Sequence, residues 1–364
     1  MAQMTGFTPH TIPVLRFEGS YREVGSQIGD ACADVLQRAV AFDAELPPGR
    51  TRADQLALAG RYRDLTADAM PWLLDELEGA AGAADVDPLA LFACTVEEIW
   101  YEPRTPGGGP AIEGRCSDLV AAPPATADDH VLVAHNNDLS ARYRDELVAI
   151  ERRIPGDPTI FTIGNGIWIS VGWNSAGLSL TGNELSPNDE RIGIPRELQV
   201  REMLRDTSLD AMVGTALRHD RASSYNNVLA SSEGGVVNVE GSATSVELTE
   251  PDEHGHLVHT NHYVCDAMLP FEGDPAYARR SAVRYARAEE LLAAQAGGSV
   301  TVERLRELLS DHEHAPDSLC RHADEGADGS VTCFWCVADV TDMRITFGRG
   351  NPCDSVAQEF VFER

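Results

Sequence analysis

Hydrophobic residues follow two different periodicities along the chain, and the change falls near residue 105. Before it, apolar residues recur at intervals of three and four in residues 21–42, 52–83 and 87–101, which is the spacing of amphipathic helices. Residues 102–114 (EPRTPGGGPAIEG) then hold three prolines and three consecutive glycines, which are typical of an exposed, flexible connection. The first third of the chain therefore predicts three helices followed by a link at which the chain can be cut.

Beyond this link, runs rich in valine, isoleucine, threonine and tryptophan are broken by glycine and asparagine, as in antiparallel hairpins. These runs are residues 117–122, 130–138, 159–185 and 234–250, the third of which includes NSAG at 174–177 as a turn. Helical spacing returns at 195–219, 275–295 and 301–312, and strand patterns end the chain at 330–350 and 355–363. Because strands and helices come in blocks, the pattern predicts an α+β layered fold rather than a βαβ repeat.

Composition limits the classes of protein that remain. A chain of 364 residues with 43% hydrophobic residues can bury a large core, so one large or two fused globular units are expected. The formal net charge of -29 opposes binding to nucleic acid or to an anionic membrane surface. The start of the chain has no signal-peptide pattern, and no apolar run is long enough to span a bilayer, so we expect a cytoplasmic protein. The eight unevenly spaced cysteines do not form a disulfide framework, so we expect thiols.

The stretch EGRCSDLVA, residues 113–121, places Cys116 directly after the predicted link and at the start of a predicted strand. A thiol with a pKa of about 8.5 needs a base to act as a nucleophile, and an α-amino group with a pKa of about 7.7–8.0 can serve as one. If the chain were cut before Cys116, the nucleophile and its base would lie on one residue. A buried cysteine with no chemical role is the alternative interpretation.

Six motifs occur in a fixed order around this cysteine: RCSD, HNND, VGWNSAGLSLTGNEL, VHTNHY, SLCRHADEG and ITFGRGNP. With them, most of the chain resembles the penicillin acyltransferase-like family, which belongs to the N-terminal nucleophile hydrolases. The resemblance implies a four-layer αββα sandwich and self-cleavage between Arg115 and Cys116. It implies a helical N-terminal segment, 1–115, that becomes the small subunit, and a catalytic core, 116–364. Because the helices before residue 105 carry extensive apolar faces, we expect the cut segment to stay bound as a heterodimer partner. The resemblance also implies that the protein acts on amide or thioester bonds.

The resemblance also assigns roles to residues that match family motifs. Cys116 matches the nucleophile, Asn261 in HTNH the side-chain donor to a tetrahedral oxyanion, and Asp138 in HNND the backbone N–H that donates to it as well. Arg321 in LCRH matches a position near the catalytic centre, where it would orient the nucleophile's strand or hold a substrate carboxylate. The alternatives are a turn or cap asparagine at 261 and a structural salt bridge at 321.

Two positions depart from the family pattern. Arg115 stands where a glycine is common, and Asp118 stands two residues after the cysteine, beyond Ser117. A carboxylate close to the thiol would raise the pKa of both the thiol and the α-amine, which would slow maturation or serve to recognise a cationic substrate. An aspartate turned away or bonded to the backbone is the alternative. Trp173, in the strands after the nucleophile, would line an apolar acyl pocket together with Trp168 and Tyr143, unless these rings pack in the core.

Two groups of cysteine and histidine residues raise the question of a metal. Cys333 and Cys336 form a CxxC, and the second group gathers His312, His314, Cys320 and His322. Residues three apart in an extended strand point to opposite faces, which argues against the CxxC as a site. The second group falls inside a motif that carries no metal in the family resembled. We therefore expect neither a metal nor a bound cofactor.

The function expected from these observations is hydrolysis of amide bonds in small N-acylated amines, amino acids or peptides through a thioester acyl-enzyme. The close alternative is an N-acyltransferase of the penicillin acyltransferase type, with a coenzyme A thioester as co-substrate. Sequence does not choose between them, because the two reactions differ only in whether water or an amine resolves the thioester. A non-catalytic metal-binding or scaffold protein is the alternative from a different class.

Overall fold

A computed structural model describes residues 10–43, 49–100, 115–323 and 330–363. The predicted flexible link at 102–114 lies outside the described residues. Within them, two β-sheets lie face to face between layers of helices, which is the α+β arrangement predicted from the blocks of strands and helices.

The N-terminal part is helical except for one strand. Its elements are β1 (Val14–Glu18), α1 (Tyr21–Asp43), α2 (Arg52–Ala69), α3 (Pro71–Ala83) and α4 (Pro88–Ala93). The prediction of one helix over 52–83 was wrong, because Met70 leaves the helical conformation and Pro71 starts a new helix. Proline has no N–H to donate to the preceding turn and is favoured in the first turn of a helix, so it divides the apolar pattern into two helices.

The remaining chain supplies thirteen strands and four helices among the described residues. The strands are β2 (Arg115–Ala121), β3 (Leu132–Ser140), β4 (Val148–Arg153), β5 (Ile160–Gly164), β6 (Ile169–Asn174), β7 (Leu178–Asn183), β8 (Asn226–Ser231), β9 (Val236–Gly241), β10 (Val246–Thr249), β11 (His256–His259), β12 (Ser330–Asp339), β13 (Arg344–Arg349) and β14 (Gln358–Val361). The helices are α5 (Arg196–Met203), α6 (Leu209–Ala216), α7 (Pro275–Ala293) and α8 (Val302–Leu309). The pattern had not marked β1, β4, β8 or β11 as strands.

The strands form an eight-stranded sheet in the order β1-β4-β5-β6-β7-β8-β9-β10 and a six-stranded sheet in the order β11-β2-β3-β12-β13-β14. Neighbours are antiparallel except β1, which pairs with β4 in parallel. The turn predicted at 174–177 joins β6 to β7, with the Gly177 N–H donating to the Asn174 carbonyl at 3.0 Å. Because β1 is an edge strand of the larger sheet, the described residues before 115 belong to the same fold as the rest of the chain.

Burial separates the protein into four layers. Phe161, Val171, Val120 and Phe334 meet between the sheets in one apolar core. Helices α1 to α4, and beside them α5 and α6, cover the outer face of the eight-stranded sheet. Helices α7 and α8 cover the outer face of the six-stranded sheet. The order is therefore helices, sheet, sheet, helices, the αββα sandwich that the family resemblance implied. No helix in the described ranges is both long and apolar enough to cross a membrane.

Candidate functional site

Cys116 is the second residue of β2 and lies at the end of that strand, in register with Asn137 of β3. Alternate residues of a strand point to opposite faces. Val120 belongs to the core between the sheets and Leu119 to the core under α7 and α8, so Cys116 and Asp118 face the other sheet. The side chain of Cys116 is 6% exposed. The strand thus delivers the thiol to the layer between the sheets.

Three groups contact Cys116. Its backbone N–H donates to Asn261 Oδ1 at 2.8 Å, and Asn137 Nδ2 lies 3.4 Å from its sulfur. The backbone N–H of Asp138 also donates toward the sulfur. The contacts bring the predicted nucleophile, Asn261 and the Asp138 backbone into one cluster, although Asn261 is 145 residues away from Cys116 in the chain.

Hydrogen bonds fix both the backbone and the side chain of Asn261. It follows β11, its backbone N–H donates to Ser281 Oγ of α7 at 2.6 Å, and its Nδ2 donates to the Glu184 carbonyl at 3.0 Å. Its Oδ1 accepts from Arg284 Nη2 at 2.6 Å as well as from Cys116. The amide oxygen therefore faces the position that an α-amine would occupy after cleavage, and one of the two Nδ2 hydrogens is used by Glu184.

Three buried arginines surround the cluster. Arg115 Nη1 lies 2.9 Å from Asp317 Oδ1, and Arg321 Nη1 lies 3.9 Å from the same oxygen. Arg284 comes from α7 and contacts Asn261. Each of the three is at most 2% exposed. Burying several charges is costly unless they are paired, and the carboxylates of Asp317 and Asp138 lie beside these guanidinium groups.

The carboxyl of Asp138 faces these cations. Its Oδ1 accepts a hydrogen bond from Thr332 Oγ1 at 2.7 Å. Burial raises the pKa of Asp138 to about 6, although Arg321 and Arg284 lower it. Thr332 and Arg321 are also joined through the backbone, since the Thr332 N–H donates to the Arg321 carbonyl at 3.0 Å. Arg321 is thus linked to the site both by its backbone hydrogen bond to Thr332 of β12 and by its side-chain contact with Asp317.

The thiol of Cys116 has a pKa well above its ordinary value in the uncut chain. Burial is the largest cause, and the carboxylates of Asp138, Asp118 and Glu184 add to it, while the Asp138 backbone N–H opposes it. A neutral thiol is a poor nucleophile, so in the uncut site the thiol must give up its proton as it attacks.

Asp118 bonds to a side chain and not to the backbone. Its Oδ1 lies 2.8 Å from His135 Nδ1, and both side chains are fully buried. It lies on the same face of β2 as Cys116, and its charge raises the pKa of the Cys116 thiol. Ser117 points to the opposite face of β2, and its buried Oγ has no hydrogen-bond partner among the residues described.

The aromatic residues are divided between the core and a more open region. Trp173 lies in the core between the sheets, 6.0 Å from the ring of Phe161, and is 3% exposed. Trp168 and Tyr143 are half-buried and lie 6.3 Å apart. The structure thus places Trp173 with core residues, apart from the cluster of hydrogen bonds around Cys116.

The alternation argument against the CxxC was wrong. The register of β12 against β3 shifts between Thr332 and Phe334, and Cys333 and Cys336 consequently both face the core between the sheets. A β-bulge inserts one residue and so changes the parity of the strand. Neither cysteine belongs to a group of metal-ligating side chains in the described part of the chain, whereas His312, Cys320 and His322 do.

Sequence reasoning missed Arg284, Glu184, Asp317 and Tyr277. The phenol of Tyr277 has a pKa well above its ordinary value because of burial and Glu184, and it interacts electrostatically with Cys116. For Arg284 a signal did exist. The buried positions of α7 are Ser281, Arg284, Ala288 and Leu292, so a charged residue stands in the stripe where an apolar one is expected.

Taken together, the site offers a thiol, an amide group beside its backbone nitrogen, a backbone donor at its sulfur and several buried cations. These parts suit attack on a carbonyl carbon, with negative charge developing on the carbonyl oxygen.

Comparison with known proteins identifies relatives over most of this chain. Residues 125–354 match the family described as acyl-coenzyme A:6-aminopenicillanic acid acyl-transferase. The acyl-coenzyme A:6-aminopenicillanic-acid-acyltransferase 40 kDa form of Emericella nidulans is 26% identical over 342 residues, which are 92% of this chain and 92% of that protein.

Solved structures resemble the chain more distantly. An N-acylethanolamine-hydrolyzing acid amidase ortholog from Caenorhabditis elegans is 16% identical at a TM-score of 0.43, covering 62% of this chain and 93% of its own. Penicillin V acylase from Agrobacterium tumefaciens is 12% identical at a TM-score of 0.40, covering 68% of this chain and 86% of its own. Likenesses at this level have no bearing on the substrate of this chain.

Proposed function

Since the chain belongs to the acyl-coenzyme A:6-aminopenicillanic acid acyl-transferase family, we propose that it is a self-processing cysteine amidohydrolase whose nucleophile is Cys116. The family supports an enzyme of the acyltransferase type, and the proposed mechanism is that of an N-terminal nucleophile hydrolase. The observation that carries the proposal is the 2.8 Å hydrogen bond from the Cys116 backbone nitrogen to Asn261 Oδ1. It lies where an α-amine would need a fixed acceptor beside its own thiol.

In the maturation step, Cys116 Sγ attacks the carbonyl carbon of Arg115, and the Arg115–Cys116 C–N bond breaks. The thiol proton passes to the departing nitrogen, which becomes the α-amine, and the two residues remain joined by a thioester. Water then hydrolyses the thioester, which leaves a carboxylate on Arg115 and a thiol on Cys116. The uncut thiol is neutral because of its buried, carboxylate-lined surroundings, so its proton is transferred during the attack.

In the turnover step, the α-amine of Cys116 takes the thiol proton as sulfur attacks the substrate amide carbon. That proton goes to the leaving amine, and water resolves the acyl-enzyme to a free acid. Donors to the oxyanion would be the Asp138 backbone N–H, which already points toward the sulfur, and the Nδ2 of Asn261. The proposed substrates are small N-acylated amines, amino acids or peptides.

The N-terminal segment is proposed to stay bound after cleavage as the small subunit. Strand β1 pairs with β4 along five residues, Val14 to Glu18, and the apolar faces of α1 to α4 pack on the larger sheet. Exposing that much apolar surface would be unfavourable, so cutting one peptide bond does not separate the parts.

Acyl transfer from a coenzyme A thioester is the second candidate function. It is favoured by the name of the Emericella nidulans relative, which matches over 92% of this chain. The acceptor is then an amine in place of water, and the thiol of coenzyme A is released as the acyl-enzyme forms.

The test is intact-mass spectrometry of denatured, freshly purified protein, with Cys116→Ala, and with Cys94→Ala as a matched control whose thiol donates to a helix carbonyl. Two fragments that meet between Arg115 and Cys116 are expected in the wild type and in the control, and one chain in Cys116→Ala. An uncut wild type, or fragments in Cys116→Ala, would refute the self-processing mechanism.

The two reactions are then separated with the mature protein. Release of a fluorescent amine from N-acyl coumarin amides reports hydrolysis. Release of coenzyme A thiol that depends on an added amine reports transfer. Both activities should disappear in Cys116→Ala and survive in Cys94→Ala.

A further inference from the structure

A second cluster of thiol and imidazole groups lies in turns beside the six-stranded sheet. His312, Cys320 and His322 follow α8, and Cys353 follows β13. One ligand atom from each of the four lies within 4.8 Å of every other. His314, which the sequence analysis had grouped with the first three, is not a member, and Cys353 takes its place.

Four separations between ligand atoms in this cluster can be compared with the edges of a tetrahedron around a metal ion. The two sulfurs are 3.7 Å apart, and His322 Nε2 lies 3.7 Å from Cys320 Sγ and 3.5 Å from Cys353 Sγ. The Nε2 atoms of His312 and His322 are 3.0 Å apart. A tetrahedral zinc ion, with bonds of about 2.3 Å to sulfur and about 2.0–2.1 Å to nitrogen, sets edges of about 3.8 Å (S–S), 3.6 Å (S–N) and 3.4 Å (N–N). The three separations above that involve sulfur agree closely with these edges, while the N–N separation is shorter than its edge.

We infer that His312, Cys320, His322 and Cys353 bind one zinc ion as a structural Cys2His2 site. Binding forms two Zn–S and two Zn–N bonds, and the two thiol protons pass to solvent. Two thiolates and two neutral imidazoles leave the loaded site with no net charge, which removes the penalty for partial burial. Four protein ligands leave no open position for a substrate or water, so the site is closed.

A neighbouring side chain supports this role. Asn351 Nδ2 lies 3.3 Å from Cys320 Sγ and 2.7 Å from the Arg321 carbonyl. A donor that points at a ligating sulfur fixes its orientation and stabilises the thiolate. Cys320 is buried, while His312 and Cys353 are exposed and give the ion a path from solvent.

The site has a consequence for catalysis that rests on the proposed function. Arg321 lies between the two ligands Cys320 and His322, and its guanidinium lies in the cluster with Asp317 and near Asp138. Zinc would fix the backbone on both sides of Arg321, and would thus make the two ligands positioning residues for the Cys116 site.

The test measures bound metal and does not depend on activity. Full-length protein is purified with a thiol reductant, equilibrated with zinc sulfate, desalted and analysed by inductively coupled plasma mass spectrometry. One zinc per chain is expected in the wild type, in His314→Ala, which is the matched control, and in Cys116→Ala. Retention by Cys116→Ala keeps this result separate from the outcome for the proposed function.

Cys353→Ser and His322→Ala are expected to lose the stoichiometric zinc while keeping the wild-type circular dichroism spectrum. With cobalt in place of zinc, the wild type should show the visible bands of a tetrahedral ion and a thiolate charge-transfer band. The charge-transfer band should be weaker in Cys353→Ser. The inference would be overturned if the wild type retained no zinc, or if both variants kept it. It would also be overturned if protein purified with the thiol reductant held a Cys320–Cys353 disulfide.

Discussion

The thiols of Cys116 and Cys320 stand in contrasting surroundings although both are buried. Cys116 lies on a strand, with three carboxylates that raise the pKa of its thiol and a backbone donor that opposes them. Cys320 lies in a turn, with a second thiol and two imidazoles whose ligand atoms all lie within 4.8 Å of one another. Burial is common to both thiols, so the groups that surround each sulfur decide its chemistry.

The largest effect expected is on the chemistry at Cys116. Asn261→Asp keeps the shape of the side chain but replaces the Nδ2 donor with an oxygen that faces the Glu184 carbonyl. Loss of one oxyanion donor lowers kcat by about 100- to 1000-fold. We expect this loss in the amide-release assay, and slower maturation by intact mass.

The control for this variant is Asn188→Asp, because Asn188 Nδ2 also donates to a backbone carbonyl, that of Pro270, but Asn188 is exposed whereas Asn261 is buried. Wild-type kcat in Asn261→Asp would contradict the assigned role.

Adding and removing zinc tests the proposed site at Cys320. A ligand that binds only the folded state stabilises it by about 4 kcal/mol when its free concentration is 1,000 times Kd. Saturating zinc should therefore raise the thermal midpoint of the wild type and of His314→Ala, and chelation should reverse the shift. An equal shift in Cys353→Ser would contradict binding at the four ligands.

A further buried carboxylate, that of Glu98, shows how strongly burial can shift a titration. Glu98 accepts from the Arg196 backbone N–H at 2.9 Å through Oε1, while Oε2 has no hydrogen-bond partner in the described part of the chain. Burial raises the pKa of Glu98 to about 7, against an unfolded value of 4.5. Below pH 4.5 both states hold the proton and folding carries no penalty, while above pH 7 both lose it and the penalty is complete.

Glu98→Gln should thus raise the free energy of unfolding by about 3 kcal/mol at pH 8 and leave it nearly unchanged at pH 4. Urea denaturation at the two pH values measures the difference. A gain that is equal at both pH values would show that ionisation is not the cause.

The smallest effect is expected at Trp173, whose buried Nε1 has no hydrogen-bond partner among the described residues. Trp173→Phe removes this unpaired N–H together with some packing, so the free energy of unfolding should change by about 1 kcal/mol. The KM of the amide substrate should stay at the wild-type value. A raised KM would place Trp173 in the acyl pocket after all.

Much of this protein was determined by local sequence. Apolar spacing identified most helices and strands, because each periodicity matches one backbone geometry. Cys116 could be selected because a glycine- and proline-rich link, a cysteine and a strand follow one another directly in the chain. Motif resemblance added Asn261 and the backbone of Asp138, which the structure brings to the same cysteine.

Only the tertiary structure decided which distant segments meet. Arg284 reaches Asn261 because α7 packs over the six-stranded sheet, and Cys353 joins Cys320 and His322 because two turns lie side by side. A single bulge in β12 placed Cys333 and Cys336 on the same face. Such contacts depend on sheet order, register and loop packing, which arise from the whole chain and leave little trace in the spacing of nearby residues.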